Sequence, residues 1–417
     1  MAPRGARSAR RDSSGAEDFR TLPTVAKLAV VCAAALVFAL GYARWYAAAV
    51  VTTPVRPGLE SMESNLDPET AARLMQVVAA ERDRLGVPSL QVAVILPDGA
   101  WWTGSVGWAD PRARRAANVR DRYYVGSVTK LYTSAVILKL AEAGRLSLDD
   151  PVSRFIPETP NGDRITIRHL LNHTSGLYNY TESVSFLAKT VLFRKRWTAD
   201  EVWQIVADHP PYFEPGARHF YSNGNYHLLG MIAERAGGRP FSELLKEHVL
   251  SPLGLTNTFF APQEPAPTGT VRGYDVSLFG LGRLGIKKDM EGLRDSFESA
   301  SFTAGGITAS ALDVARFTRA LFHGDLLSAE SKEAMTRFVE APDEDVPAQT
   351  GYGLGVRRLE LGGVTFIGHT GIFPGFSNIS MYAPDTGHVV TVLSNLSAVE
   401  VTRVVEAVLT ELHVLGS

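Results

Sequence analysis

The chain has 417 residues, 45% hydrophobic and 21% charged, with a formal net charge of −2. It is long enough for one large domain or two intimate ones, and its composition is that of a globular protein. Outside the N-terminus the basic residues are scattered, which argues against a nucleic-acid partner, and the single cysteine, Cys32, excludes an intramolecular disulfide and a Cys-rich metal centre.

Residues 1–26 form a basic tail in which Arg4, Arg7, Arg10, Arg11 and Arg20 outnumber Asp12, Glu17 and Asp18. Residues 27–53 contain "LAVVCAAALVFALGY" and, after Arg44, a second apolar run from Ala47, together approaching the ~20 residues a bilayer span requires. Positive charge stays on the cytoplasmic side, so the rest of the chain is expected outside it. The segment reads as an uncleaved transmembrane anchor; the alternative is a signal peptide cut near Ala47–Ala49, which would leave a secreted protein. Residues 54–66, with Pro54, Pro57 and Gly58, read as a stalk.

Asp67 followed by Pro68 predicts a capped helix over "PETAARLMQVVAAERDRL". The runs "LQVAVILP" and "WWTGSVGW", joined across Asp98-Gly99, predict a β-hairpin. Helical patterns dominate from Thr129 to about residue 260, with a capping box at Thr198 and Glu201; Ser310 and Asp313 resemble another before "VARFTRALF". Strands return in "VTFIGH", "FSNISMYA" and "HVVTVLSN", and "VTRVVEAVLTEL" closes the chain as an amphipathic helix. The expected fold class is α+β, an antiparallel sheet assembled from both ends of the chain and flanked by helices, with a mainly helical insertion.

Three short stretches carry chemistry. In "YVGSVTK", Ser127 and Lys130 stand one helical turn apart if a helix begins near Gly126. A serine hydroxyl needs a base to be nucleophilic, and a lysine serves only when burial or nearby cations lower its pKa. In "FYSNGNYHLLG", Tyr221 and Asn223 point the same way from an extended loop, and a phenol beside an ammonium is expected to have a lowered pKa and to shuttle a proton. In "VTFIGHTGIFPGF", His369, Thr370 and Gly371 end an apolar strand, the glycine permitting close backbone approach by a ligand. Taken singly, each has a commonplace explanation: a capping serine with a solvated lysine, a turn tyrosine with a capping asparagine, and a β-turn.

In order, "SVTK", "YSN" and "HTG" resemble the three motifs of the serine β-lactamase and penicillin-binding superfamily, in its class C and D-alanyl-D-alanine carboxypeptidase branch. "ITIRHLLNHTSGL", "AGGITASALDVARF" and "GYGLGV" are similar to the family as well, and the resemblance covers about residues 67–415. It implies a β-lactamase/transpeptidase-like domain over residues 67–417. Ser127 would be the acylated nucleophile, Lys130 its proton acceptor, and Tyr221 the group that passes the proton to the leaving group. Asn223 would hold the substrate's amide carbonyl, His369 and Thr370 would face its carboxylate side, and the N–H groups of Ser127 and Ile372 would form the oxyanion hole beside Gly371, such a donor being worth about 3–4 kcal/mol. The implied substrate is a small peptide, a β-lactam or an ester, most readily a D-alanyl-D-alanine peptide. An esterase, or a non-catalytic ligand-sensing homologue, is the alternative. No metal and no cofactor is implied.

Two departures bear on substrate. A histidine stands where most β-lactamases carry lysine in the third motif, a weaker carboxylate clamp unless Arg357 or Arg358 reaches the site. Ile372 and Phe373 follow where many relatives place small or hydroxylated residues, which favours an apolar substituent. Among other patterns, His169 and His173 at i, i+4 read as structural rather than metal ligands, and "GLGRLG" over Gly280–Gly285 reads as a loop rather than a dinucleotide site.

Overall fold

In the computed structural model, which describes residues 60–264, 268–275, 286–346 and 348–415 and the backbone of 50–52, Asp67 accepts the Thr70 N–H at 2.9 Å and Pro68 occupies the first turn. Helix α1 therefore starts at Pro68 and runs to Leu85, closed by Gly86 in the left-handed conformation that glycine adopts without strain. Val51–Ser417 forms one compact unit. The expected tail and anchor, and the Gly280–Gly285 loop, lie outside the described residues, and the expected stalk is not one at Glu60–Ser64, which pairs with Trp102–Val106 as an edge strand of the domain's sheet. Among the described residues no helix is long and apolar enough to cross a membrane.

Among the described residues ten strands build one sheet: β1 (Glu60–Ser64), β2 (Ser89–Ile95), β3 (Trp101–Asp110), β4 (Arg115–Ala116), β5 (Val339–Glu340), β6 (Gln349–Tyr352), β7 (Arg357–Leu361), β8 (Val364–Phe373), β9 (Phe376–Tyr382) and β10 (Val389–Ser394). Their order is β5-β6-β7-β8-β9-β10-β2-β3-β1, with β4 beside β3, and neighbours along it are antiparallel. The hairpin across Asp98-Gly99 forms with Ile95 opposite Trp101. The junction of β10 with β2, Val392 opposite Val92, joins the two ends of the chain.

Both faces of this sheet are covered, so β2, β9 and β10 are buried along their whole length. On one side Leu74 and Val78 of α1 and Val404 and Val408 of the C-terminal helix Thr402–Glu411 share a core with Val92 and Val392 of the sheet. On the other lies the larger core with the helical insertion, centred on α2 (Thr129–Glu142). Every residue of α2 from Thr129 to Leu138 is buried, the signature of a helix surrounded on all sides.

The Thr198–Glu201 capping box forms with both reciprocal bonds. At Ser310 only half of one does. The serine accepts the Asp313 N–H at 3.4 Å, but the Asp313 carboxylate turns to the Asn257 N–H (2.8 Å) and the Thr258 hydroxyl (3.1 Å), a tertiary contact that local spacing does not reveal.

Candidate active site

A 3₁₀ turn, Gly126–Val128, feeds directly into α2, which places Ser127 half-buried at the helix N-terminus and Lys130 one turn on. Gly126 holds a φ of 56°, and a Cβ there would lie 2.5 Å from the Ile372 carbonyl oxygen and 2.9 Å from its nitrogen. A Cβ on Gly371 would lie 2.0 Å from the Val125 carbonyl oxygen. Both glycines are required because the backbones of the serine turn and of β8 meet with no room for a side chain. The serine turn and the backbone at Ile372 are thereby held in close contact.

Lys130 is fully buried, with its Nζ 3.0 Å from Ser127 Oγ, 2.9 Å from Asn223 Oδ1 and 2.8 Å from the Ala304 carbonyl oxygen. Burial, followed by the charge of Arg357, holds its ammonium well below the usual lysine range. A neutral amine fits these neighbours: two N–H groups donate to Asn223 and Ala304, leaving a lone pair to accept the Ser127 hydroxyl proton. The Ala304 carbonyl reaches Lys130 from helix α3 (Arg294–Gly305), which is broken at Phe302 (φ 39°). A bulky residue in that region is strained. The break coincides with two inward carbonyls, Thr303 to the Thr133 hydroxyl and Ala304 to Lys130.

Tyr221 and Asn223 flank Ser222, whose hydroxyl caps helix α4 (Asn223–Gly237), so both side chains turn into the cleft. Ser222 is itself held by His173 Nδ1 at 3.2 Å, and the Asn223 N–H donates to Asn179 Oδ1 at 3.1 Å. The Tyr221 ring packs 4.9 Å from Lys130 Nζ and 5.0 Å from the Arg357 guanidinium carbon. Its hydroxyl oxygen is buried, makes no close hydrogen bond among the described residues, and faces Ser127 and Arg357. Contrary to the lowered pKa expected from a neighbouring ammonium, burial outweighs these groups and raises the phenol. Burial thus works against the charged form of both groups, lowering the amine and raising the phenol.

The third motif differs most from expectation. His369 is fully buried and does not face the cleft: its Nε2 accepts from the Tyr352 hydroxyl at 2.9 Å and its Nδ1 donates to the Thr370 carbonyl. Burial and the nearby Arg357 and Lys130 hold it well below the usual histidine range, so it is neutral. Strand alternation explains the placement, since Thr370 and Ile372 line the cleft while His369 and Gly371 point the other way.

The cation missing here comes from the adjacent strand. Arg357, opposite Gly368 in the β7–β8 ladder, is buried, lines the cleft and pairs with Asp343 at 2.9 Å and with Gln349. Arg358, on the other face of β7, goes instead to Thr350 and the Phe338 ring. Of the residues to which sequence reasoning assigned no role in the site, His173 and Asn179 lie in or just after "ITIRHLLNHTSGL", Ala304 opens "AGGITASALDVARF" and Tyr352 lies in "GYGLGV", but nothing in those runs signals their partners. His169 serves in the cap of Thr166, and His173 in holding Ser222, which separates the i, i+4 pair.

The cleft has a volume of about 730 Å³. Phe186, Leu187, Phe297, Ile372 and Phe373 form an apolar wall, while Glu182, Asp343, Glu344 and Asp345 give an acidic side around Arg218 and Arg357. A serine hydroxyl against a buried amine, at a helix N-terminus and next to a closely approaching strand, defines a serine hydrolase that works by acyl transfer.

The Beta-lactamase family profile matches residues 74–414, and the chain belongs to that family of serine hydrolases. Among solved structures it is similar to a D-stereospecific amidohydrolase from Streptomyces sp., with 33% identity and a TM-score of 0.69 over 81% of this chain and 98% of that one. It is also similar to the D-amino acid amidase of Ochrobactrum anthropi SV3 complexed with L-phenylalanine amide, with 25% identity and a TM-score of 0.74 over 83% and 99% of the two chains. Penicillin-binding protein 4* of Bacillus subtilis (strain 168) is 27% identical over 70% of this chain and 64% of its own length. The chain spans just under two thirds of the length of the first curated relatives it matches.

Proposed function

We propose that the chain hydrolyses amide bonds of D-configured substrates, D-alanyl-D-alanine peptides and D-amino acid amides foremost, through an acyl-enzyme on Ser127, with β-lactams as acylating analogues. The observation that carries the reading is Lys130, fully buried with its Nζ 3.0 Å from Ser127 Oγ and its ammonium held well below the usual lysine range. As Ser127 Oγ bonds to the substrate carbonyl carbon, its proton passes to Lys130 Nζ. The charge on the carbonyl oxygen is met by the N–H groups of Ser127 and Ile372. The amide C–N bond then breaks as the Tyr221 hydroxyl protonates the leaving nitrogen and recovers a proton from Lys130. Water attacks the ester by the same route in reverse and frees Ser127. Asn223 holds the substrate's amide, Thr370 and Ile372 contribute the β8 side, and Arg357 rather than His369 offers positive charge to a substrate carboxylate. The relatives named above support D-configuration. The apolar residues 27–53 support a membrane anchor with the catalytic domain outside the cytoplasm.

A second reading, an esterase for apolar acyl groups, is favoured by the 71% exposure of Ile372 at the cleft mouth and by the aromatic wall behind it. The purified protein and Ser127→Ala would be incubated with a fluorescent penicillin, a D-Ala-D-Ala peptide, D- and L-phenylalanine amides and a nitrophenyl ester. Serine-dependent labelling with release of D-alanine or of ammonia from the D-amide alone is the expected result. Ester turnover without amide cleavage would select the esterase, and binding that survives Ser127→Ala without turnover would mark a ligand sensor.

A further inference from the structure

One helix beside the cleft leaves its apolar outer side uncovered. Helix Val184–Leu192 is capped by Ser183 and holds to the domain through Phe186 and Thr190, the two of its residues that are buried. Phe186 rests against Tyr180 and Trp197, and the Trp197 indole N–H donates to Thr190 Oγ1 at 3.0 Å. The opposite side carries Val184, 81% exposed, with Leu187 and Leu192 at 41%, and Phe193 follows at 76%. Four large apolar side chains exposed within ten residues are unusual for a surface that meets only water.

The same stretch is basic. Lys189, Arg194, Lys195 and Arg196 lie in it, with no Asp or Glu between Ser183 and Ala199. Lys195 also meets Glu201 at 2.7 Å and Arg196 meets Asp295 at 3.6 Å, while Lys189 and Arg194 are exposed. Leu187 belongs both to this face and to the lining of the cleft, so whatever covers the face also lies at the cleft mouth.

Exposed apolar side chains ringed by lysine and arginine match the boundary between lipid headgroups and acyl chains, where the first bury and the second meet phosphate. A second copy of the chain fits less well, because a two-fold contact would set these cations against themselves. We infer that Val184–Arg196 is an interfacial face that docks on an anionic lipid surface and holds the mouth of the cleft at headgroup level. The inference stands apart from the reaction proposed for Ser127 and does not depend on residues 27–53 crossing the bilayer.

The test uses the full chain in nanodiscs of phosphatidylcholine with or without phosphatidylglycerol, read by hydrogen–deuterium exchange. Peptides covering 184–196 should exchange about tenfold more slowly when phosphatidylglycerol is present, each basic residue near such a surface adding attraction. Val184→Glu combined with Phe193→Glu should remove that protection without changing thermal stability or turnover of a small soluble ester, since neither side chain is buried or lines the cleft. Equal exchange in the two lipids would overturn the inference, as would protection that survives the double substitution. Protection that grows with protein concentration in lipid-free detergent would overturn it in favour of self-association.

Discussion

The first and third motifs face each other across the cleft and contribute in opposite ways. "SVTK" works through its side chains: Ser127 and Lys130 touch each other, and burial holds the Lys130 ammonium well below the usual lysine range. "HTG" works largely through its backbone. Its histidine points away from the cleft, its glycine exists so that Val125 can approach, and its neighbour Ile372 shares the narrow seam with Gly126. The difference teaches that a motif marks where a strand must run as often as which side chain must react, and that charge absent from one strand can be supplied by the next, here by Arg357.

The comparison breaks first, and with the largest effect, at Lys130. Lys130→Met should lower the acylation rate by about 10³-fold or more while the protein stays folded, because a proton acceptor in the transition state is lost but the chain stays packed. Single-turnover labelling by a fluorescent penicillin, beside circular dichroism, reads both quantities, and a wild-type rate would remove the amine from the reaction. Next comes Gly371→Ala. The added methyl must push β8 off the serine turn, so acylation should fall about 100-fold with roughly 1–3 kcal/mol of lost stability, although no reacting side chain has changed. Chemical denaturation with the same labelling assay checks this; an unaffected rate would mean that the seam is not needed.

Arg357→Gln sharpens the question of which residue carries the cation. Lys130 acts as a neutral amine, so activity rises with pH as its proton leaves, and Arg357 holds that pKa down. Without the arginine the lysine keeps its proton to higher pH, and the acid limb of kcat/KM should move upward. Arg357→Lys should restore most of it. A limb that stays in place in both variants would leave Arg357 with packing alone. The smallest effect belongs to His369→Gln, whose amide can still meet Tyr352: a loss within about tenfold in kcat/KM and about 1–2 kcal/mol in stability from a rearranged buried hydrogen bond. A loss exceeding that of Arg357→Gln would show that the imidazole turns to the substrate during the reaction.

Much of the architecture was legible because it depends on local physics. Asp67-Pro68 fixes a helix start and Asp98-Gly99 fixes a hairpin. The half-formed cap at Ser310 shows the limit, since the carboxylate that would have closed it is claimed by a loop 55 and 56 residues away. The lowered pKa expected for Tyr221 reversed for a similar reason: the neighbouring cations were visible in the residues, but the burial that outweighs them was not.

By itself the sequence determined that a serine and a lysine stand one turn apart, that Tyr221 and Asn223 face one way, and that a glycine at 371 leaves room for close approach. These follow from helical and extended periodicity, which act within a few residues. Only the tertiary structure decided that the lysine's ammonium is disfavoured by burial, that His369 turns inward, that Arg357 reaches the cleft while Arg358 does not, and that a break at Phe302 brings the Ala304 carbonyl to Lys130 from 174 residues away. Desolvation and charge are summed over everything that surrounds a group in space, and no local stretch of chain contains that sum.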